Sequence, residues 1–456
     1  MRARDLALLE LDQRRLPGWP PELLRKTRFR RADKKMPEDE RDRALAEQIV
    51  IGVIKNHLHL RHLISHYAGR SLKSIDPLTQ KILSIGLYQL RFLERIPASA
   101  AVNEAVEQAK RIGLQRAAGF VNAVLRKAAR EPQAPPSDGL ANPAGYAELV
   151  LSHPRELFEK LATLVGSENA IRICEHNNRQ APTIVRLFSG RTQTDLAASG
   201  IEVQPHEDPG MSVVAAPLPV LKDWAERGIA QVQDPTAASV VSALQIKSGQ
   251  RLLDRCCGLG TKTLQMRDLL GESGEILAVD RSEERCRVLQ SLLARRHIGN
   301  VAVRRLEMLS ELPAEEIRPF DGILIDAPCS NSGVLARRPE ARYAQGPTAL
   351  RSVLRLQMRI LDDTAAHLRP GGRLVYSTCS FWPQENERQV AAFIARNAQY
   401  RLLEQCTTLP SLDRDERLYH DGGYVALLTR SCTRRSRQQG CESLQCHKPN
   451  APDAPP

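Results

Sequence analysis

Between about residues 231 and 430 strand-like and helix-like patterns alternate, and that alternation limits the folds open to this chain more than any other feature. Short apolar runs recur at Arg251–Asp254, Glu275–Asp280, Val301–Arg304, Gly322–Asp326 and Arg373–Ser377. Apolar, β-branched runs of this length, bounded by turn residues, read as strands buried on both faces, and the helical stretches between them read as crossovers. The pattern predicts an α/β fold, a parallel sheet with helices wound on both sides. Two of the runs lead into cysteine motifs, Asp326-Ala327-Pro328-Cys329-Ser330 and Ser377-Thr378-Cys379-Ser380. Both thiols therefore fall just past the carboxyl ends of strands, where open α/β sheets place their ligands. A free cysteine is ordinarily a small buried hydrophobe. Two of them delivered to one crevice point to covalent chemistry.

Upstream, residues 1–130 read as all helical. Leu45, Ile49, Val53 and Ile54 fall at helical spacing after Pro37-Glu38-Asp39-Glu40, which suits a helix N-terminus. Further stripes follow: Leu78, Ile82 and Ile85 after Asp76-Pro77; Val102, Ala105, Val106 and Ala109; and Phe120, Val121, Val124, Leu125 and Ala128. These are core faces. The basic run from Arg25 to Lys35 is expected to contact RNA phosphates. Residues 131–145, rich in proline and small polar residues, read as a linker. A small mixed α/β subdomain is expected over 146–230, including a strand-like Pro182–Leu187. The main α/β domain spans 231–430, and the aperiodic segment 431–456 reads as a disordered tail. Its Cys432, Cys441, Cys446 and His447 fit no zinc spacing, and no metal is expected.

The chain of 456 residues carries 65 Lys and Arg against 53 Asp and Glu, a net charge of +12. That excess favours a polyanionic partner, most simply a nucleic acid, through phosphate neutralisation. Its longest early apolar run, Ile49 to Ile54, is far short of the roughly 20 residues that span a bilayer. Ten cysteines scattered along the chain form no disulfide framework. A cytoplasmic protein with reduced thiols is expected.

The strand Arg251–Asp254 runs into Arg255-Cys256-Cys257-Gly258-Leu259-Gly260-Thr261-Lys262-Thr263, where a helix begins. A glycine turn at that point lets the backbone approach a ligand and aims helix N–H groups at it. The second strand ends in Asp280, an acid placed to accept bonds from two ribose hydroxyls. A phosphate-binding P-loop is excluded because Lys262 follows Thr261 and not glycine, and a dinucleotide fingerprint would want glycine near 263. S-adenosylmethionine, which has a nucleoside and no pyrophosphate, fits better.

Paired thiols beside such a cofactor suit methylation at carbon 5 of cytosine. That carbon is too weakly nucleophilic to attack a methyl sulfonium directly. Addition of a thiolate to C6 turns the ring into an enamine whose C5 can attack, and a second thiol can help the later release. Asp326 is placed to hydrogen-bond the pyrimidine N3/N4 edge. Nitrogen methylation instead uses an Asn/Asp-Pro-Pro-Tyr turn, and here a thiol replaces the aromatic.

In this order and spacing, DRCCGLGTKT, AVDRS, DAPCSNSGV and YSTCSFWPQENE resemble the motifs of the RsmB/Sun-type RNA cytosine-C5 methyltransferases. VNEAVEQAKRIG and AAGFVNAVLRKAAR resemble the NusB-like RNA-binding domain at the front of RsmB. SHPRELFEK, NNRQAPTIVRL and VQDPTAAS resemble that family's RNA-recognition subdomain and its approach to the catalytic core. The resemblance covers about residues 1–430. It implies a Rossmann-like class I methyltransferase sheet preceded by a NusB-like domain over 1–130 and an RNA-recognition subdomain over 146–230. It further implies Cys379 as the nucleophile, Cys329 as the release-assisting thiol, and cofactor contacts from Cys256, Cys257, Gly258, Leu259, Gly260, Thr261, Lys262, Asp280 and Asp326. Lys262 is also implied near the target base, and Glu307 as the third-strand acid near the adenine.

The cofactor loop departs from the family pattern Cys-Ala-Ala-Pro-Gly-Gly-Lys-Thr at Cys257, Gly258, Leu259 and Thr261. A Cβ at Thr261 is expected to weaken the cofactor's close approach. The resemblance implies small-subunit ribosomal RNA as the substrate. The alternatives are a non-catalytic RNA-binding assembly factor and a cytosine-C5 methyltransferase acting on tRNA or another RNA.

Overall fold

A computed structural model describes residues 2–14, 16–19, 39–131, 141–313 and 318–431. The basic run Arg25–Lys35, most of the expected linker and the expected tail beyond Ser431 lie outside the described residues. The chain divides into two compact units, one of residues 1–179 and 338–344, the other of 180–337 and 345–456.

The first unit is helical. Its described helices are α1 (Ala3–Gln13), α2 (Glu40–Lys55), α3 (His57–Ala68), α4 (Pro77–Phe92), α5 (Ala98–Arg111), α6 (Gln115–Arg130), α7 (Pro143–Leu149), α8 (Arg155–Val165) and α9 (Ser167–Asn178). The sequence signals act where they stand: Asp39 caps α2 through the Arg41 N–H, and Asp76 caps α4 through the Thr79 N–H. Ile49, Val53, Ile82, Val121 and Leu125 are fully buried in one core shared by α1 to α6. The helices α7 to α9 belong to this unit, although 146–230 reads as one subdomain in the sequence.

Two buried cations sit in this unit. The Lys81 ammonium, fully buried, pairs with Asp12 at 2.6 Å. Arg342, in the 338–344 segment, donates to the Lys55 carbonyl at 2.9 Å and the Asn177 carbonyl at 2.6 Å, at the ends of α2 and α9. Carbonyls at helix C-termini carry the negative end of the macrodipole and favour such a cation. Burial still pulls Arg342 down to about 10.

The second unit carries two sheets. A small antiparallel sheet in the order β2-β3-β1-β4 is built from β1 (Ile184–Leu187), β2 (Val203–Pro205), β3 (Met211–Val214) and β4 (Ala230–Val232), with helices α10 (Gln193–Ala197) and α11 (Leu218–Glu226). The larger sheet has seven strands: β5 (Arg251–Arg255), β6 (Glu275–Asp280), β7 (Val301–Arg305), β8 (Phe320–Asp326), β9 (Leu368–Thr378), β10 (Tyr400–Thr408) and β11 (Gly423–Arg430). Their order is β10-β11-β9-β8-β5-β6-β7, parallel from β9 to β7, with β11 antiparallel to both its neighbours. This is the doubly wound, Rossmann-like sheet that the sequence implies.

Alternate residues of each parallel strand face opposite cores. Leu253, Ile323, Ile325, Leu374 and Tyr376 pack with α15 (Pro347–Ala365) and α16 (Glu387–Arg396). Leu252, Ile276, Leu324 and Val375 pack with α12 (Pro235–Ser242), α13 (Thr261–Leu270) and α14 (Glu283–Arg295). Each such fully buried side chain contributes about 1.5–3 kcal/mol. No helix among the described residues is long and apolar enough to cross a membrane. Six described cysteines are free thiols.

The Lys81–Asp12 pair is a stability test for the helical unit. Removing one member of a buried pair strands the other charge at a cost of about 3–5 kcal/mol. Asp12→Ala is therefore expected to lower the unfolding free energy by about that amount, read from denaturant titrations. A loss under about 1 kcal/mol, the size typical of exposed pairs, would mean that other contacts of Lys81, among them the Trp19 ring 5.8 Å away, hold its charge.

Candidate active site

Strands β8 and β9 lie side by side and parallel, with Asp326 opposite Ser377. The two segments continue together beyond their strand ends, since the Ala327 N–H donates to the Ser377 carbonyl and the Gly333 N–H to the Cys379 carbonyl, both at 2.9 Å. That register brings Cys329 and Cys379, 50 residues apart in sequence, to a sulfur–sulfur distance of 3.0 Å. Asn331, in the left-handed region at φ 60°, spans both segments. Its Nδ2 donates to the Cys329 carbonyl at 3.1 Å, and its Oδ1 lies 3.2 Å from the Cys379 sulfur.

The two thiols are not equivalent. The hydrogen bond with Cys379 is the main cause holding Cys329 well above the ordinary thiol range; burial and the nearby charges of Cys379 and Glu385 add to it. Beside them, the Lys262 ammonium pairs with Asp326 at 2.7 Å, and the Ser377 hydroxyl donates to the other Asp326 oxygen at 3.1 Å. Burial works against the Lys262 charge, but Asp326 outweighs it and the ammonium is held above its usual value. Cys256 is a thiol of another kind, pushed up to about 12 by burial.

The cofactor loop leaves β5 and enters α13 at Thr261. Its left-handed positions are Cys256 at φ 67°, Gly258 at 57° and Gly260 at 88°. Thr261 is not among them and begins the helix with ordinary backbone, so its Cβ brings no strain. At Gly260 a Cβ would come within 2.2 Å of Leu289 Cδ1, whereas at Gly258 it would meet nothing within 4 Å. Space is therefore open above the loop at Gly258. The Asp280 carboxylate accepts the Gly258 N–H at 3.0 Å and the Ser282 N–H at 2.8 Å, one on each oxygen. Each oxygen keeps acceptor capacity for a diol.

Cys257 directs its thiol into the core beside Leu264 and Leu289, so only its backbone lines the loop. Leu259 projects into solvent, 58% exposed. Glu307 is exposed past the end of β7, and its carbonyl accepts a bond from the buried Arg255 guanidinium. The site thus gathers Cys329, Cys379, Asp326 and Lys262 closely, while Asp280 and Gly258 form a second group through their own hydrogen bond.

Sequence reasoning missed two residues here. Glu385 is fully buried behind both cysteines and binds Ser330 and Ser380, the residues following them. Its one signal was an acid within the stretch WPQENE, with no spacing that assigns it a partner. Asp254 is the other. Its Oδ2 accepts the Thr263 hydroxyl at 2.5 Å, while its buried Oδ1 has no partner. An orphaned buried carboxylate oxygen, an acid with spare acceptor capacity and open space above Gly258 suit a ligand carrying an ammonium and a ribose. S-adenosylmethionine has both, and the residues fit it.

Burial pushes Asp254 up to about 7, with the Thr263 hydroxyl opposing the shift. A carboxyl that binds its proton more tightly folded than unfolded stabilises fully below about pH 4, and that stabilisation is lost as pH rises towards about 7. The ligand-free Asp254→Asn variant lacks this loss. Its stability relative to the parent protein is expected to rise across that window in urea titrations; a flat difference would contradict the assignment.

Comparison with known proteins places this architecture. Residues 241–417 match the family profile described as 16S rRNA methyltransferase RsmB/F, and residues 1–130 match the NusB family. The ribosomal RNA small subunit methyltransferase B of Vibrio cholerae is 32% identical over 410 residues, covering 86% of this chain and 90% of that protein. Its counterpart in Klebsiella pneumoniae is 33% identical over 381 residues, covering 80% and 84%. Among solved structures, PH0851 aligns with a TM-score of 0.71 at 20% identity, over 86% of this chain and 91% of its own. A methyltransferase homologue from Pyrococcus horikoshii aligns with a TM-score of 0.51 at 25% identity, over 62% and 97%. With relatives this similar along most of its length, the chain belongs to the RsmB/F family of S-adenosylmethionine-dependent 16S rRNA methyltransferases.

Proposed function

We propose that this enzyme methylates carbon 5 of a cytosine in small-subunit ribosomal RNA through a covalent bond between Cys379 and C6 of the base. The observation that carries this reading is the 3.0 Å thiol pair at the carboxyl ends of two adjacent parallel strands. Buried structural cysteines have no reason to meet beside a paired lysine and aspartate, whereas C5 chemistry needs one thiol to add and one to help release.

In this reading the bound S-adenosylmethionine supplies an electrophilic methyl group, held by the Gly258–Gly260 turn, Asp254 and Asp280. Asp326, fixed by Lys262 and Ser377, receives the N3/N4 edge of the cytosine. The Cys379 thiolate forms the S–C6 bond, and the ring electrons move to C5, which then takes the methyl group. Forming that bond removes the sulfur charge and hydrogen bond that keep Cys329 protonated. Cys329 then loses its proton to solvent, and its thiolate takes the proton from C5. The C6–S bond breaks, the C5=C6 double bond returns, and the electron pair goes back to Cys379. The cycle releases one proton and restores both thiols.

The helical unit of residues 1–130 and the segment 146–230 serve RNA recognition in this proposal, with the basic run Arg25–Lys35 contacting phosphates. Neutralising that run is expected to reduce the slope of log affinity for 16S rRNA fragments against log salt by about 0.7–0.9 for each phosphate no longer neutralised. An unchanged slope would leave the run as a solvated face.

The two thiols are separable. Cys379→Ala is expected to reduce methyl transfer by several orders of magnitude, about the 10⁶-fold seen when a nucleophile is lost, while S-adenosylmethionine binding stays within about twofold. Cys329→Ala is expected to accumulate a denaturation-resistant protein–RNA complex that requires Cys379 and S-adenosylmethionine. Bisulfite mapping of 16S rRNA from cells with and without the gene locates the product. Normal methylation by both variants would overturn the covalent mechanism, and a trapped complex only in Cys379→Ala would reverse the roles.

A further inference from the structure

Behind the thiol pair lies a carboxylate that the covalent mechanism does not use. Glu385 is fully buried, and every partner facing it is a donor or a hydroxyl able to donate. Its Oε2 accepts the Ser330 N–H at 2.8 Å and the Gln357 amide at 3.0 Å; its Oε1 accepts the Ser380 hydroxyl at 2.7 Å and the Ser330 hydroxyl. Ser330 follows Cys329 and Ser380 follows Cys379, so one side chain holds both cysteine segments. Gln357 extends the hold, donating also to the Pro328 carbonyl at 2.9 Å.

We propose that Glu385 is a positioning residue of the thiol pair, its carboxylate clasping both cysteine segments with its negative charge on the Cys329 side of the pair. This rests on the two-thiol reading of the reaction. Two observations support it. Past Asp326 and Thr378 the strands have ended, and the clasp joins the two segments through three hydrogen bonds, with a fourth from Gln357 of α15. Glu385 is also among the charges that disfavour ionisation of Cys329. The other titratable groups facing the pair are the Tyr376 phenol, which burial keeps protonated beside Cys329, and the Lys262 ammonium, which faces Cys379 and is paired with the Asp326 carboxylate. An uncompensated negative charge next to one member of a thiol pair moves the proton to that member.

Glutamine at this position separates hydrogen bonding from charge. Serine hydroxyls both donate and accept, so an amide NH₂ in place of Oε1 can donate to Ser330 and Ser380 while the amide oxygen accepts the other two bonds. Glu385→Gln thus keeps the clasp and removes the charge; Glu385→Ala removes both.

The test uses the full-length protein and its variants, and it reads two quantities. The first is the pH dependence of iodoacetamide alkylation at Cys329 and Cys379, resolved by peptide mass spectrometry without RNA. The second is single-turnover methyl transfer to a 16S rRNA fragment, with S-adenosylmethionine affinity measured by calorimetry. Glu385→Gln is expected to move the Cys329 alkylation profile to lower pH and to keep the methyl-transfer rate within about tenfold. Glu385→Ala is expected to lose roughly 100-fold in rate, the cost of misplacing reacting groups by about 1 Å, with cofactor affinity within about twofold. An unshifted alkylation profile in Glu385→Gln overturns the proposal whether or not the alanine variant folds. A shifted profile in a protein whose parent does not methylate cytosine would uphold Glu385 and overturn the catalytic reading instead.

Discussion

The register between β8 and β9 is the constraint on which the rest of the site depends. Asp326 faces Ser377 because Ile323 and Ile325 must meet Leu374 and Tyr376 in one core, while Leu324 and Val375 meet in the other. A slip of one residue would exchange those faces and drive each strand's side chains into the wrong layer. Fixed in this way, the third residue past one strand and the first past its neighbour are two cysteines. The spacing of the thiols is therefore a consequence of hydrophobic packing well below them.

That packing reaches only as far as the strands do. Beyond Asp326 and Thr378 the chain turns, and polar groups take over: Glu385, Ser330, Ser380, Gln357 and Asn331 join the two segments. A buried network of this kind is stabilising when every member is satisfied and costly when one is not. Cys256 and Cys257 lie in the same unit, yet burial is the main cause holding Cys256 at about 12, and Cys257 lies in a core that includes Leu264 and Leu289. What distinguishes Cys329 and Cys379 is that the two sulfurs face each other, with Lys262 and Glu385 beside them.

The sequence made the inner parallel strands legible because a strand buried on both faces is a continuous apolar run, and the edge strand β7 legible through the alternation of buried Val301 and Val303 with exposed neighbours. The four helical stripes were legible for the complementary reason, a single buried face with aspartate caps at Asp39 and Asp76. The edge strand β10 was not, since RLLEQCTT is half exposed along its length and mixes polar with apolar residues without a clear period. Neighbouring β11 carries an apolar run, Tyr424–Leu428, that the alternation of strand and helix left unassigned because it pairs antiparallel. Glu385 and Asp254 were invisible as site residues for a different reason. Their roles come from partners brought by the fold: Ser330 stands 55 residues from Glu385, and the empty side of Asp254 is a matter of packing.

The altered cofactor loop follows the same logic. A strand entering a helix over five residues needs left-handed backbone at particular points, here Gly258 and Gly260, and both are glycine. The Gly260 requirement is doubled because Leu289 of α14 occupies the space a Cβ would fill. Thr261 is already inside α13, where a side chain costs nothing in backbone strain. The strained position is Cys256, a non-glycine residue at φ 67°, in a region that costs about 1–2 kcal/mol for side chains with a Cβ. Its backbone turns the chain out of β5 towards Asp280, and the Cys257 N–H bond to the Val279 carbonyl at 3.0 Å holds the turn against β6. The loop is thus held by the two strands and by the helix behind it.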